Sequence, residues 1–452
     1  MKYRWLCVAS LILAPITTAQ ELNPDIVGFG RTLFQETRFS NTKTDMEVSC
    51  ASCHALTDPL GSRAFTELFQ RSWYPWRSED PGRETLRNAP TLLDVGQHKF
   101  IHMDGEFQTL EEQASATFVG RNFGWLAGEE KIAGDEIARL FNEDDALSKQ
   151  FQDAFGKSSN SMSPEVLIEH LAIATADFMR TLKSRFDSPY DVFVKANGIP
   201  PRPIGGQTPK RYAGTILERL YALETNNKIN FVPGFEAQAL EGYRIFLRTD
   251  GRDSVGNCVS CHVPPLFMDN SYHNTGVSQM EYENVHGVGA FEEINIPTRI
   301  NQTPPARRFG STPHRTDKSR VDLGHWNFAD AKTSPMFQDG DTQENFFTRT
   351  IAAFKTPTLR HLGSTDPYMH SGEYDYVKWG LQQKIEAAFV ARMGQLRNGD
   401  EHMKQIQISV QDLPPLIAFL NALNDAGERQ IMKAPAIRFD SSYSANYRNG
   451  DR

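Results

Sequence analysis

Four cysteines stand in two copies of one short pattern, Cys-x-x-Cys-His. The copies are Cys50-Ala51-Ser52-Cys53-His54 and Cys258-Val259-Ser260-Cys261-His262. Two thiols three positions apart on one turn can add to the two vinyl groups of a haem, and the histidine that follows can bind its iron. Disulfides or a zinc site would also use the cysteines, but neither requires a histidine directly after each pair. The motifs therefore predict two covalently bound c-type haems, with His54 and His262 as proximal iron ligands.

The region before the first motif has the composition of an export signal. Two basic residues precede an apolar run at positions 5–16, and small residues follow as far as Ala19. This order predicts a signal peptide over residues 1–19, cleaved near Ala19, and hence a periplasmic protein. About a dozen apolar residues are too few to cross a bilayer, so a retained membrane anchor is the less favoured alternative. The fifth cysteine, Cys7, would be removed with the signal.

The rest of the chain has the composition of a globular protein with two domains. Its 452 residues exceed one ordinary core and suit two domains of about 150–200 residues. The formal net charge of −8 argues against nucleic acid and against an anionic membrane as partners. A redox partner protein or a small substrate is therefore expected, and no other segment predicts a membrane span.

Both motifs follow similar local sequence, which suggests an internal repeat. Gly30-Arg31-Thr32-Leu33-Phe34 precedes the first motif and Gly242-Tyr243-Arg244-Ile245-Phe246 precedes the second. Helix-period apolar positions at residues 164–182 and 413–423 predict helices, and a Pro/Gly-rich stretch at residues 197–206 interrupts the pattern between the motifs. The predicted fold is mainly α, with two cytochrome c-like haem domains and long irregular loops.

The domain limits follow from these interruptions. We expect an N-terminal haem domain at residues 20–225 with a linker near 195–230, a C-terminal haem domain at 226–432 and a polar tail at 433–452. The tail has no helical or strand periodicity, which indicates a surface or disordered segment.

The order and spacing of shorter motifs resemble those of the bacterial di-haem cytochrome c peroxidase family, which also contains the MauG-type enzymes. The resemblance covers residues 25–425, and each motif is weak alone. In the N-terminal half it rests on Gly30-Arg31-Thr32-Leu33-Phe34, Arg38-Phe39-Ser40, the first haem motif, Ala64-Phe65-Thr66, Arg87-Asn88-Ala89-Pro90-Thr91, and Asp104-Gly105 with Leu110-Glu111-Glu112-Gln113. In the C-terminal half it rests on Phe354-Lys355-Thr356-Pro357-Thr358-Leu359-Arg360, Pro367-Tyr368-Met369-His370-Ser371-Gly372 and Ile417-Ala418-Phe419-Leu420.

The resemblance implies a division of labour between the two haems. The haem at His54 would be the peroxidatic one, where hydrogen peroxide binds, and the haem at His262 would collect and relay electrons. The resemblance also implies a calcium ion between the domains, and Asn88, Thr365 and Pro367 occupy the matching positions. Carbonyl and amide oxygens suit calcium. Without the resemblance, ordinary turn hydrogen bonds would explain Asn88 and Thr365.

The distal side of the N-terminal haem departs from the family pattern. In many members a histidine shortly after the first motif blocks the sixth iron position until the other haem is reduced. No histidine occurs here between His54 and His98. We therefore expect an N-terminal haem that is five-coordinate or water-bound, ready for peroxide without reductive activation, as in the MauG-type branch. His98 or His102 could reach the iron instead.

Peroxide cleavage needs polar groups that move a proton between the two peroxide oxygens. Gln113 matches the pocket glutamine of the family, whereas the position of the family's catalytic glutamate falls on Phe123. Either another acid, Glu129 or Glu130, takes its place, or Arg121 supplies the polarising charge, or peroxide is handled differently. Glu129 and Arg121 are the predicted catalytic residues beside Gln113. A solvated helix face would explain Glu129 and Glu130 equally well.

The tryptophan that commonly bridges the two haems in the family is replaced by Met103. Methionine cannot serve as the same oxidisable relay. Trp125, Trp326 or Tyr368 could carry oxidising equivalents instead, although packing is the simpler role for each.

The sixth ligand sets the potential of the C-terminal haem, because methionine raises it and histidine or tyrosine lowers it. A direct count along the resemblance falls on Lys384, but with an insertion the segment 385–396 matches the family helix that ends in a ligand methionine. Met393 is therefore the predicted ligand, with Met403 second and Met369 third. A methionine that merely packs is the alternative for each.

Two enzyme classes and one carrier class follow. The predicted function is a periplasmic peroxidase that reduces hydrogen peroxide with electrons from a small cytochrome or cupredoxin, passed from the C-terminal to the N-terminal haem. The alternative is a MauG-like enzyme that uses peroxide to oxidise tryptophan or tyrosine of a partner protein. A non-enzymatic two-haem carrier is least favoured, because it needs a strong second axial ligand on both irons.

Overall fold

The computed structural model describes residues 22–56, 64–66, 74–80, 87–299 and 306–427. The predicted signal peptide and polar tail lie outside these residues. Helices dominate the described part, which contains only two short two-stranded sheets, so the prediction of a mainly α protein is confirmed. None of the described helices is long and apolar enough to cross a bilayer.

Two groups of helices carry the two motifs. The first group is α1 (Pro24–Phe34), α2 (Cys50–Cys53), α3 (Leu110–Phe118), α4 (Glu130–Glu143), α5 (Asp145–Phe155) and α6 (Pro164–Thr181). The second is α7 (Pro189–Ala196), α8 (Pro209–Thr225), α9 (Ala237–Leu247), α10 (Val277–His286), α11 (Gln343–Arg349), α12 (Val377–Arg392), α13 (Glu401–Gln405) and α14 (Leu413–Asn421). The antiparallel strand pairs are β1 (His54–Leu56) with β2 (Ala64–Thr66), and β3 (Tyr272–His273) with β4 (Phe354–Lys355).

Local signals fix where the longest helix begins. Ser163 accepts a hydrogen bond from the backbone N–H of Val166, and Pro164 follows with a φ angle suited to the first turn. The helices predicted at residues 164–182 and 413–423 are observed at Pro164–Thr181 and Leu413–Asn421.

Each group of helices has its own hydrophobic core, built around one close helix crossing. In the first, α1 crosses α6, and a β-carbon at Gly30 would lie 1.9 Å from the carbonyl oxygen of Ala174. In the second, α9 crosses α14, and a β-carbon at Gly242 would lie 1.9 Å from the carbonyl oxygen of Pro415. The two glycines of the sequence repeat therefore have the same role, because only a residue without a β-carbon fits there.

The two cores separate between Leu182 and Tyr190. Helices α7 and α8 bury their apolar residues in the second core, although both precede residue 226. The domain limits at 20–225 and 226–432 stay a prediction. The packing favours a boundary earlier in the chain, between the last residue of the first core and the first residue of the second.

A third hydrophobic cluster lies between β3 and β4 in the chain and contains Phe309 and Trp326. An ion-pair network joins it to the N-terminal half. The guanidinium of Arg87 lies 2.5 Å from Asp104 Oδ2 and 2.8 Å from Asp322 Oδ1. Both carboxylates are buried, so loss of the arginine would leave two uncompensated charges. This network holds together two walls of the site described next.

Candidate haem cavity

The first motif forms one short helix at the wall of a large cavity. Ser49 precedes α2, and its backbone N–H donates to Ser52 Oγ at 3.0 Å in a capping box. The single turn brings Cys50 and Cys53 to the same side. Burial raises the pKa of the Cys50 thiol to about 12, which keeps it protonated.

The second motif reaches a similar arrangement through different local contacts. Asn257 has a left-handed backbone with φ of 51° before the 3-10 turn Cys258–Ser260. Its side-chain oxygen accepts from Ser260 Oγ at 2.6 Å, and its Nδ2 donates to the carbonyl oxygen of His402 at 3.1 Å. The motif is thereby tied to α13. Burial raises the pKa of the Cys258 thiol to about 12, as in the first motif.

Both motif histidines are neutral imidazoles at ordinary pH. Burial lowers the pKa of His54 and that of His262 to about 4. His262 Nδ1 donates to the carbonyl oxygen of Phe267 at 2.8 Å, which leaves Nε2 available as a ligand atom. A neutral imidazole with its other nitrogen bonded to the backbone is the form that binds metals. His262 therefore fits an iron ligand, and His54 offers a buried neutral imidazole whose Nδ1 has no hydrogen-bond partner among the described residues.

One continuous cavity of about 1190 Å³ contacts both motifs. Cavities for one small ligand usually measure about 300–1,000 Å³, so this one exceeds a single-ligand site. Its walls come from α1, α3 and α6 of the first core and from α9, α12, α13 and α14 of the second. Residues 101–104 and 354–359 also line it, and the backbone N–H of Lys355 donates to the carbonyl oxygen of Met103 at 2.7 Å. The two haem sites thus share a wall built from both halves of the chain.

Only one of the three predicted catalytic residues lines the cavity. Gln113 does so on α3, where its Nε2 donates to the hydroxyl of Thr117 at 2.8 Å. Glu129 and Arg121 are not among the described residues that contact the cavity. A catalytic role for these two stays a prediction, and their positions do not support it.

Glu129 and Arg121 instead hold the segment 74–80 in place. The Glu129 carboxylate accepts two hydrogen bonds at 3.0 Å from the buried guanidinium of Arg77, and this pairing lowers the pKa of Glu129. Arg121 donates to the carbonyl oxygen of Pro75 at 2.7 Å, and its guanidinium lies 4.8 Å from the ring centre of Tyr74. Tyr74 lines the cavity, so the segment that these two residues hold forms part of the cavity wall.

Two polar side-chain pairs that the sequence motifs did not predict line the cavity. Lys355 Nζ donates to His98 Nδ1 at 3.0 Å and to the carbonyl oxygen of Phe100 at 2.9 Å. Burial lowers the pKa of Lys355 to about 8, and it lowers the pKa of His98 well below its usual value. His102 Nδ1 lies 3.0 Å from the carboxylate of Glu106. Both alternative histidine ligands therefore have a protein partner at Nδ1, and iron ligation by either one stays a prediction.

The three methionines considered for the C-terminal haem differ in burial. Met393 is 60% exposed at the end of α12 and is not among the described residues that line the cavity. Met403 on α13 is 4% exposed and lines the cavity, and Met369 lines it too. Lys384 is a further lining residue, and its Nζ donates to Thr275 Oγ1 at 2.7 Å. Ligation by Met393 stays a prediction, and burial favours Met403.

Two of the three predicted calcium ligands are in contact, and the third lines the same cavity. Asn88 Nδ2 is 2.6 Å from the carbonyl oxygen of Pro367, and Thr365 lines the same cavity. Asn88 Oδ1 is buried and has no hydrogen-bond partner among the described residues. Exchanging the amide oxygen and nitrogen of Asn88 would bring two oxygens to one point. The residues fit a calcium ion, and the ion itself stays a prediction.

Comparisons with known proteins agree with this geometry. Residues 24–198 match the family model described as di-haem cytochrome c peroxidase. The cytochrome-c peroxidase IdrP2 of Denitromonas iodatirespirans is 26% identical over 430 residues, which cover 94% of this chain and 88% of that protein. The methylamine utilization protein MauG of Methylorubrum extorquens is 23% identical over 411 residues, which cover 90% of this chain and 81% of that protein.

Solved structures show the same fold. The diheme peroxidase BthA from Burkholderia thailandensis gives a TM-score of 0.57 at 19% identity, over 92% of this chain and 89% of that one. A MauG-like protein associated with microbial copper homeostasis gives 0.54 at 20% identity, over 94% of this chain and 96% of that one. A family of di-haem proteins implies two c-type haems, which matches the two motifs in the cavity. The resemblance inferred from the motifs is confirmed: the N-terminal part of the chain matches the di-haem cytochrome c peroxidase model, and relatives named cytochrome-c peroxidases are similar over most of its length, which is consistent with a peroxidase oxidoreductase.

Proposed function

We propose that this protein is a periplasmic peroxidase that reduces hydrogen peroxide to water. A small cytochrome or cupredoxin supplies electrons at the C-terminal site, and they pass to the N-terminal site. Two electrons and two protons convert each peroxide into two waters. The bound haems supply the iron chemistry for O–O cleavage and one-electron transfer. The observation that carries the proposal is the asymmetry of the cavity, with polar Gln113 at one end and buried Met403 at the other.

At the N-terminal end the chain offers groups that bind and orient peroxide. Gln113, fixed by its bond to Thr117, presents an amide to the cavity. An amide does not titrate, so Gln113 orients peroxide and another group must move the proton. Glu106 and His102 are a bonded pair on the cavity wall and meet that need. Glu129 and Arg121 contribute by holding the segment that carries Tyr74.

At the C-terminal end we propose Met403 as the sixth iron ligand in place of Met393. The proposal is supported by burial and by how α13 is held. Asp400 begins α13, accepts from the backbone N–H of His402 at 2.8 Å and lies 2.6 Å from His273 Nδ1. A thioether ligand raises the haem potential, which suits a site where electrons enter.

Calcium and export complete the proposal. Asn88, Thr365 and Pro367 would bind a calcium ion at the cavity wall, and the orphaned Oδ1 of Asn88 supports this. The signal peptide at residues 1–19 would direct the protein to the periplasm, where c-type haem proteins meet small redox partners.

The second candidate function is MauG-like oxidation of tryptophan or tyrosine on a partner protein. It is favoured by Met103, which lines the cavity where the family has its bridging tryptophan, and by the similarity to MauG. Electrons would then come from the partner's aromatic side chains. The two-haem carrier would require a strong sixth ligand at both irons.

Spectra of the oxidised, haem-loaded protein test the open N-terminal site. We expect one high-spin and one low-spin haem in the optical and EPR spectra, and a direct reaction of the oxidised protein with peroxide. Two low-spin haems, or no reaction until one electron is added, would contradict the open site.

Turnover separates the two enzyme functions. A peroxidase oxidises a reduced small cytochrome or cupredoxin with peroxide in a ratio of two electrons per peroxide. A MauG-like enzyme leaves that donor reduced and oxidises aromatic residues of a co-expressed partner, which mass spectrometry would detect.

A further inference from the structure

A dense group of positive charges stands in the segment between β3 and β4. Residues 306–320 contain five Lys or Arg and one acidic residue, in a chain where Asp and Glu outnumber Lys and Arg by 56 to 48. The five cations are Arg307, Arg308, Arg315, Lys318 and Arg320. The overall charge of −8 conceals this local excess, and we call residues 306–320 the basic hairpin.

The basic hairpin is held on a fixed frame. The backbone N–H of Ser311 donates to Val321 at 3.2 Å, and that of Val321 donates to Arg308 at 2.8 Å. Leu323 donates to Phe309 at 2.9 Å, and Phe309, Val321 and Leu323 are buried in the third hydrophobic cluster. The cations therefore project from a well-anchored backbone.

These cations are not neutralised within the described part of the chain. Arg307, Arg308, Arg315 and Lys318 are exposed, and none of the five forms an ion pair with a described residue. The single acid, Asp317, accepts from the backbone N–H of Ser319 at 3.0 Å. By contrast, the buried Arg360 pairs with Asp191 at 2.8 Å. The positive charge of the basic hairpin is therefore available to a binding partner from solution.

The hairpin extends from the cavity wall to the surface. Arg307, Arg308 and Arg320 line the cavity, whereas Arg315 and Lys318 lie nearer the tip and are not among its described lining residues. Tyr74 lines the cavity as well: burial raises its pKa, and Arg121 and Arg307 nearby oppose that shift. A partner bound on the hairpin would therefore lie at the wall of the cavity that contacts both haem motifs.

We propose that the basic hairpin is the docking surface for an acidic partner protein, positioned at the cavity beside Tyr74. Hydrogen peroxide is neutral and gains nothing from five positive charges. A small anion needs donors that converge on one point, whereas these cations follow both arms and the tip of the hairpin. That distribution matches an extended acidic face, which complementary charge would attract and orient. The inference rests on the proposed function only in requiring a partner protein.

Binding to an acidic cupredoxin tests the docking surface. The probe is plant plastocyanin, and its affinity for the haem-loaded protein is measured by surface plasmon resonance at low and high salt. Arg315→Glu with Lys318→Glu should weaken binding about tenfold at low salt, and much less at 1 M, where the Debye length is about 3 Å. The matched control, Lys157→Glu with Lys228→Glu, reverses two exposed charges elsewhere and should change affinity less than about twofold.

Three outcomes would overturn the proposal. The first is that the unaltered protein does not bind plastocyanin at low salt. The second is that the tip variant, Arg315→Glu with Lys318→Glu, and the control variant weaken binding equally. The third is that the tip variant loses binding of inorganic phosphate but binds plastocyanin as before. The last would identify a small-anion site. Peroxide turnover with a neutral ferrocene donor tests the proposed function separately. Its failure would leave the docking result standing, and the tip variant should retain that turnover.

Discussion

The two haem-binding halves share a frame and differ in what surrounds it. In each half a glycine lets two helices cross closely, Gly30 on Ala174 and Gly242 on Pro415. In each half burial keeps the motif histidine neutral. These shared features all serve to attach a haem and to supply one iron ligand. They do not distinguish a reactive site from an electron-transfer site.

The difference lies on the other side of the cavity. Near the first motif, Gln113 and Glu106 give a polar wall. Near the second, α13 brings in Met403, which is 4% exposed, and Asn257 ties that helix to the motif. Attachment and reactivity are therefore set by different residues, and substitutions can separate them.

The shared frame gives the largest predicted effect. Gly30→Ala and Gly242→Ala should each lower the free energy of unfolding by more than about 3 kcal/mol, because the added carbon meets a backbone oxygen that cannot move aside. Urea unfolding of the haem-loaded variants measures this. Equal losses of stability in the two variants would support a common role of the two glycines. A loss in only one variant would show that the two helix crossings are not equivalent.

Gly28→Ala is the matched control for this test. Gly28 lies in α1 with Gly30, but a β-carbon there has nothing within 4 Å. The substitution should stabilise the protein by about 0.5–1 kcal/mol, because alanine is the better helix former. A large loss in this control would assign the effect to the helix itself instead of its crossing.

The wall shared by both halves gives a pH-dependent prediction. Burial lowers the pKa of Lys355 to about 8, so the cost of burying its charge is fully present below pH 8 and disappears as pH rises through the unfolded value. From pH 7 to 10.5, the stability of the unaltered protein should rise relative to Lys355→Met by about 3 kcal/mol. Urea unfolding at several pH values checks this. If the stability of the unaltered protein and that of Lys355→Met changed equally with pH, the Lys355 amine would be exposed to solvent instead of buried.

The C-terminal pocket is tested by its methionines. Met403→Leu should convert the low-spin haem to high spin and lower its potential by on the order of 100 mV, because the thioether ligand is lost. Met393→Leu is the control and should leave the spectrum unchanged, since that side chain is 60% exposed. The reverse result, measured by EPR and potentiometric titration, would restore Met393 as the ligand.

The attachment sites and their family could be predicted from the sequence, because covalent chemistry fixes residue type and spacing within five positions. The internal repeat was also visible, since Gly30 and Gly242 stand at equivalent places in it, but the close helix crossings that they allow were not predicted. The calcium candidates followed from the resemblance, and the structure does bring Asn88 next to Pro367.

The contact between Lys355 and His98 on the cavity wall could not be predicted, because the two residues are distant in the chain. Lys355 bonds His98 across 257 positions, and no local pattern indicates that pair. Met393 fits a helix end in the sequence, but the direction in which that end faces depends on packing. The basic hairpin was missed for another reason, since an average charge of −8 hides a local excess of the opposite sign.

The N-terminal pocket gives the smallest predicted effect and the sharpest division of roles. Gln113→Leu should slow the reaction with peroxide about tenfold, or about 1.4 kcal/mol, at unchanged stability, because it removes an orienting amide from the cavity. Glu129→Gln should do the opposite: it weakens the pairing with Arg77, lowers stability by about 1 kcal/mol and leaves the peroxide rate of the folded protein unchanged. Stopped-flow rates and urea unfolding measure both variants. If Glu129→Gln slowed peroxide cleavage a hundredfold or more at full stability, Glu129 would be the proton-transfer group after all.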